Sequence, residues 1–192
     1  EPNTPFHKKQ QKKKLFLPPD DSAAEMYERT VQICADHGLE QYEISNFARA
    51  GHESVHNLNY WESGEWIGLG PGAASRLQLS SRTAFSQIRN PNKWMKSVQT
   101  LRHGTADCSV LNQQEHMEEI VMMGLRSRLG CSHQLLSSWL KQIYESTPPK
   151  IKRLQDLGFL EIEQERIRAT RKGFAVLNCI LPDIVETLDQ EG

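Results

Sequence analysis

Apolar residues recur at helical spacing soon after the start of the chain. Asp20-Asp21-Ser22 begins a helix with acidic groups at the positive end of its dipole, and Ala23, Met26, Tyr27, Thr30, Val31 and Cys34 mark one face. Gly38 is placed to end it in a left-handed turn. Residues 41–47 then read as a strand, and a helix feeding a strand is an αβ unit whose usual home is a parallel sheet. Trp66-Ile67-Gly68-Leu69 gives a second strand signal, and Thr83 to Ile88 a third of alternating character. Asn90-Pro91 starts a helix by cap and first-turn proline, with Trp94, Val98 and Leu101 on its apolar face and His103-Gly104 at its end. Residues 104–111 are small and polar and read as a domain boundary. Residues 1–19 read as irregular, because Pro2, Pro5, Pro18 and Pro19 break helices.

The second half has sharper punctuation. Asn112 with Glu115 three residues on resembles a capping box, asparagine replacing the usual serine or threonine. Met117, Ile120, Val121, Gly124 and Leu125 fall on one helical face. Ser132 starts another helix with Leu135, Leu136, Trp139, Leu140 and Ile143 inward. Pro148-Pro149 opens a third, carrying Ile151, Leu154 and Leu157 and stopped by Gly158. Residues 159–162 and 167–169 flank a loop of about four residues, a hairpin signal. Thr170 caps a last helix through Val176, Leu177, Ile180 and Leu181, with Pro182 as its interruption. Three helices, a hairpin and a helix predict a winged-helix-like domain.

Composition narrows the picture only modestly. The chain has 192 residues, is 38% hydrophobic and 24% charged, and carries a net charge of −1. It can hold one full domain or two small ones, and no global field favours nucleic acid or membrane. No apolar run approaches the roughly 20 residues that span a bilayer. The first residue is Glu, which suggests a fragment or short isoform. Cys34, Cys108, Cys131 and Cys179 are all far apart, the pattern of isolated thiols in a reducing compartment rather than of a metal-binding cluster. Lys8, Lys9, Lys12, Lys13 and Lys14 read as a solvated run or a contact for an anionic surface. Over 150–172, seven basic residues face four acidic ones, for a net +3. Lys150, Lys152, Arg153, Arg166, Arg168, Arg171 and Lys172 could meet phosphates, although a DNA-reading domain is usually more basic. No Asp, Glu, Ser or His arrangement singles out a general acid, base or nucleophile.

The chain is organised around residues 42–76, where a strand-like Tyr42-Glu43-Ile44 leads into a polar loop with His52, His56, Asn57 and Asn59. Tyr60-Trp61 follows, and Gly68-Leu69-Gly70-Pro71-Gly72-Ala73 closes the stretch. Ligand-type groups, flat aromatics and a glycine turn together suggest a site. A neutral imidazole such as His56 is a good ligand for haem iron, and Tyr60 and Trp61 offer rings to a porphyrin face. The other reading of His56 is a histidine hydrogen-bonded within a surface loop. Asn57 and Asn59 can orient that loop or simply form its turns. The glycine turn can let backbone amides approach a ligand or be a plain tight turn.

YEISNFAR at 42–49, HNLNYW at 56–61 and GLGPGA at 68–73 resemble, in order and spacing, the HemW haem chaperones. These are radical S-adenosylmethionine (SAM) proteins related to oxygen-independent coproporphyrinogen III oxidase. The likeness extends from Glu1-Pro2-Asn3-Thr4-Pro5-Phe6 through Gly124-Leu125-Arg126 to Leu157-Gly158-Phe159-Leu160, and covers the C-terminal half of such a protein. The fold class it implies is α/β plus α+β. Residues 1–104 would be the C-terminal strands and helices of an incomplete (βα)6 radical SAM barrel, and 112–192 a winged-helix-like domain covering it. It implies haem binding at His56, with Asn57, Tyr60, Trp61 and, as a second axial candidate, His52. It implies S-adenosylmethionine contacts at Ala48, Gly68, Gly70, Gly72 and Ala73. The implied [4Fe-4S] cluster belongs to a cysteine motif in the other half of such proteins. The implied partners are haem and an apo-haemoprotein acceptor, with no nucleic acid and no transmembrane segment. The implied location is mitochondrial, with a cytoplasmic alternative. Decarboxylation of coproporphyrinogen III is the rival enzymatic reading, against which HNLNYW argues, and a nucleic-acid-binding winged helix is a third.

Overall fold

The computed structural model describes residues 4–12, 14–15, 17–163 and 165–190. Glu1, Pro2, Asn3, Lys13 and Gln164, used in the sequence reading, lie outside the described residues. The N-terminal stretch is less irregular than its prolines predict. Pro5 takes the first position of α1 (Pro5–Gln11), where its missing N–H costs nothing, and the Thr4 side chain accepts from the His7 amide. Helix α2 (Asp20–Asp36) follows and ends before Gly38, whose φ of 71° is the left-handed turn expected of it.

The strand expected at 41–47 is two strands. β1 (Glu40–Glu43) turns at Ile44-Ser45 into β2 (Asn46–Ala48) and pairs with it antiparallel. Side chains hold the turn: Asn46 donates to the Glu43 carboxylate, and Gln41 Nε2 donates to the Ile44 carbonyl at 3.1 Å. The far edge of β1 is also taken. The Ile44 amide donates to the Arg126 carbonyl at 3.0 Å and the Arg128 amide to the Tyr42 carbonyl at 2.9 Å. Among the described residues no strand joins β1 in parallel, the arrangement expected from the sequence. All strand pairs among the described residues are antiparallel.

Next come α3 (Val55–Trp61), β3 (Ala74–Gln78), β4 (Arg82–Gln87), α4 (Pro91–Leu101) and β5 (Thr105–Val110), the strands forming one sheet in the order β3-β4-β5. Trp66-Ile67-Gly68-Leu69 is not a full strand; Trp66 makes an isolated bridge with Arg76 and the rest runs on as loop. Asn90 caps α4 as predicted, accepting from the Lys93 amide. Within the stretch read as a boundary, β5 completes the sheet as a solvated edge strand with small polar residues.

The C-terminal region follows its sequence closely. α5 (Gln113–Gly124) carries the full capping box of Asn112 and Glu115. A short 3₁₀ turn at 134–136 leads into α6 (Ser137–Glu145), and Pro149 opens α7 (Pro149–Asp156). The hairpin of β6 (Leu160–Glu163) and β7 (Arg166–Ala169) pairs as far as Glu163 with Arg166, so its loop is shorter than the four residues expected. Thr170 caps α8 (Arg171–Val185), which passes through Pro182 without ending there. The main core is here: Val121, Leu125, Trp139, Ile143, Ile151, Leu177 and Ile184 are buried together. Leu157, expected inward, is exposed at 44% because α7 ends one residue before it. The first half buries far less, leaving Met26, Ile33 and Leu101 exposed on α2 and α4.

Candidate functional site

The stretch read as a polar loop is mostly the helix α3. Ser54 caps it, accepting from the Asn57 amide at 3.3 Å. The cue in the sequence was Ser54 followed by Val55-His56-Asn57, with no glycine or proline before Trp61. Helical spacing has a direct consequence: residues four apart share a face. His56 and Tyr60 therefore meet, their rings edge-to-face with centroids 4.5 Å apart. Asn57 and Trp61 lie on the neighbouring face and turn inward.

From Tyr60 the aromatic contact continues. Its ring meets Trp66 edge-to-face at 4.7 Å. Two guanidinium groups then flank the Trp66 indole, Arg76 at 5.8 Å and Arg82 at 5.7 Å from the ring centre. Glu119 of α5 sits against both. Its Oε2 accepts from Arg76 Nε at 2.8 Å, and its Oε1 lies 3.8 Å from Arg82. The Arg82 side chain is 3% exposed and also donates to the Ser63 hydroxyl and the Gly64 carbonyl. Burial holds its pKa below the ordinary arginine value, and Glu119 opposes that shift. A row thus runs from β3, β4 and α5 through Trp66 and Tyr60 to the imidazole of His56.

The asparagines brace the same helix. Asn57 Nδ2 donates to the buried Tyr42 hydroxyl at 3.3 Å, and Asn59 Nδ2 to the Glu65 carbonyl at 3.0 Å. His56 is exposed at the outer end of the row. Trp61 does not join His56 and Tyr60. It lines a cavity of about 290 Å³ with Gly124, Cys131 and His133, and its indole N–H is buried without a partner. His52 is also exposed, in the turn before α3 where its amide donates to the Arg49 carbonyl at 2.9 Å.

The residues read as S-adenosylmethionine contacts fall on two separate elements. Ala48 is buried at the end of β2, paired with Glu40. The glycine turn leads into β3, with φ of 107° at Gly70 and 74° at Gly72, a backbone that side chains rarely adopt. Gly68 has a packing reason of its own: a Cβ there would lie 2.2 Å from the Ala74 carbonyl oxygen.

Tyr42, Trp66, Arg76, Arg82 and Glu119 were not assigned roles by sequence reasoning. Tyr42 and Trp66 lay inside the stretch singled out. Arg82 and Glu119 have no local signal, since only the fold brings them together. Two further imidazoles, His116 and His133, lie close to Arg82 with ring centres 5.9 Å apart. Burial first, and then Arg82, hold both below the ordinary histidine pKa.

Several basic groups of the C-terminal region are tied to their own chain. Lys150 pairs with Asp183 and Glu186, Lys152 with Asp156, and Arg168 with Glu161 and Glu163. Lys172 donates to the Leu157 carbonyl at 2.9 Å. The thiols are dispersed: Cys34 on α2, Cys108 on β5, Cys131 after α5 and Cys179 on α8. No group of three or more metal-binding side chains occurs among the described residues. No helix among them is long and apolar enough to cross a membrane.

Residues 111–176 match the family model of the HemN C-terminal domain. The mitochondrial radical S-adenosyl methionine domain-containing protein 1 of Mus musculus is 35% identical over 185 residues, covering 92% of this chain and 42% of its own. The heme chaperone HemW of Bacillus subtilis is 30% identical over 174 residues, covering 90% and 45%. The chain therefore spans less than half the length of these relatives. Coproporphyrinogen III oxidase (HemN) from Escherichia coli, a radical SAM enzyme, matches in fold with a TM-score of 0.62 at 15% identity, over 91% of this chain and 42% of its own.

Proposed function

The chain belongs to the HemN-like radical SAM family, with the heme chaperone HemW and radical S-adenosyl methionine domain-containing protein 1 as relatives, and on that premise we propose that it binds haem through His56 for delivery to an apo-haemoprotein. One observation carries the reading: His56 is an exposed imidazole held against a braced aromatic row. An imidazole nitrogen is a common ligand for haem iron, and a braced, exposed imidazole can offer one to a flat ligand. Exposed apolar side chains occur beside the row in sequence. Val55, also exposed, precedes His56, and Leu69, 89% exposed, lies three residues after Trp66. A porphyrin face is a fitting partner for such surface. Exposure also suits a carrier, because cargo bound at an open site can pass to a second protein.

In this mechanism His56 ligates the iron and Tyr60 supports its ring. Asn57 and Asn59 fix the helix that presents them. Trp61 faces the C-terminal region and contributes to packing rather than to the porphyrin contact. His52 is an alternative or second axial ligand supported only by its exposure near α3. The remaining site proposal keeps Ala48, Gly68, Gly70, Gly72 and Ala73 as S-adenosylmethionine contacts in the longer proteins. The dispersed thiols of this chain do not make a cluster site, and no step is derived through one. The order α5, α6, α7, hairpin, α8 supports a winged-helix-like reading of 112–192. The ion pairs of Lys150, Lys152 and Arg168 support a covering role over a nucleic-acid-binding one. The mitochondrial names of several relatives support a mitochondrial location, with a cytoplasmic one as the alternative.

The test is a haemin titration followed by absorbance. His56→Ala is expected to lose the histidine-ligated Soret band while keeping weak, nonspecific association, and His52→Ala to change it less. An unchanged spectrum and affinity in His56→Ala would place the ligand elsewhere.

A further inference from the structure

The row that ends at His56 begins on a different part of the chain. Glu119 belongs to α5, inside the stretch that matches the HemN C-terminal domain, whereas His56 lies in α3, outside it. We infer that Glu119 is a positioning residue for the His56 imidazole, acting through Arg76, Arg82, Trp66 and Tyr60. As a statement about haem ligation this rests on the function proposed above; as a statement about the ring it stands alone.

Two guanidinium groups share one indole and one carboxylate. Like charges that close repel unless an anion lies between them, and Glu119 supplies it. Its side chain is only 15% exposed, so water screens this interaction weakly. The Arg82 Nε is buried and has no hydrogen-bond partner, which makes that side chain depend further on Glu119 and on Ser63 and Gly64. Removing the Glu119 charge leaves Arg76 and Arg82 repelling each other over Trp66. Arg76, less buried and bonded besides to the adjacent Ser75 carbonyl at 3.2 Å, is the group with more room to move outward. Trp66 then loses one of its two flanking cations, Tyr60 loses a fixed wall, and His56 loses the ring that orients it. The C-terminal domain thereby helps set the geometry of a histidine outside its own matched stretch.

The variant is Glu119→Gln, which keeps the shape and removes the charge, read first without haem. The Hδ2 and Hε1 signals of the His56 ring in NMR carry the ring current of Tyr60. They are expected to shift toward free histidine in Glu119→Gln, with Glu119→Asp moving them back. Arg76→Gln tests the same row from its more exposed side and covers the case in which Glu119→Gln does not fold. An unmoved His56 signal in a folded Glu119→Gln or Arg76→Gln variant overturns the inference. With haemin, the expected loss of affinity is roughly two- to tenfold, the scale of one cation–π contact. That loss should vanish in a His56→Ala background, and an undiminished second loss also overturns the inference. If the ring signals move but His56→Ala leaves the haemin spectrum unchanged, the positioning stands and the haem reading fails.

Discussion

Replacing Trp139 with alanine tests the core on which α5, α6 and α8 converge. Trp139 is fully buried, and its Nε1 donates to the Thr187 hydroxyl at 3.2 Å. Thr187 in turn donates to the Ile184 carbonyl. Alanine removes the whole indole from a cluster whose neighbours are held by helices on several sides, so the hole cannot close fully. Transfer and cavity terms together put the cost at about 3–5 kcal/mol. At this chain length each kcal/mol lowers Tm by about 2–4 °C, which predicts a drop of roughly 6–20 °C. Thr187 still donates to Ile184 after the change, so no buried donor is orphaned on that side. Thr187→Val is the sharper probe of the hydrogen bond, because it leaves the indole N–H buried without an acceptor, at about 1–3 kcal/mol. Urea unfolding followed by circular dichroism measures both, and avoids a fluorescence signal that the first variant alters. Lys152→Ala is the control: its ion pair with Asp156 is solvent-exposed and contributes about 0.5 kcal/mol or less. A Trp139→Ala cost below about 1 kcal/mol would mean that the ring is not in the core.

Two further outcomes follow from the titratable groups. Burial and Arg82 depress the His116 and His133 pKa values in the folded chain, Glu119 opposing this at His116, so the unfolded chain takes up those protons first. The two groups destabilise the fold progressively as pH falls from about 6.5 to their folded values. A His116→Gln, His133→Gln double variant should flatten the fall in Tm between pH 7 and 5, and an equal slope in the variant would refute the assignment. Burial pushes the Cys131 thiol from 9.0 to about 12, so its thiolate is about a thousandfold scarcer than an ordinary one. A thiol reagent should therefore modify exposed Cys108 and Cys179 in the native protein and reach Cys131 only on unfolding; native labelling of Cys131 would contradict its burial.

The C-terminal region was legible because its signals are local. A capping box at Asn112, a proline pair at 148–149 and a threonine cap at 170 each fix a helix start within a few residues. The apolar faces then repeat at the helical period, which a single sequence shows directly. Pro182 misled because a proline within a helix need not end it when flanking turns pack, and Ile180, Leu181 and Ile184 are all buried here. The first half was harder for a physical reason. Residues 41–47 have strand character throughout, and nothing in their apolar pattern marks a reversal at Ile44-Ser45. That turn is fixed by side-chain bonds from Gln41 and Asn46 and by the distant residues 126–128, and none of these is visible as periodicity.

The site divides along the same line. His56, Tyr60 and Asn57 were singled out because histidine, tyrosine and asparagine are conspicuous in a short stretch, whatever structure that stretch adopts. Reading it as a loop treated Tyr60 and Trp61 as equivalent, both simply near His56. A helix makes them different: four residues bring Tyr60 onto the His56 face, and five carry Trp61 around toward Cys131. The groups that hold the row from behind are 20 to 63 residues from His56, on two strands and a helix. An arginine on a strand and a glutamate on a helix read as ordinary solvated residues. Only when β3, β4 and α5 meet do two guanidinium groups share one carboxylate beside Trp66, turning surface-type residues into the rigid back of the row that presents His56.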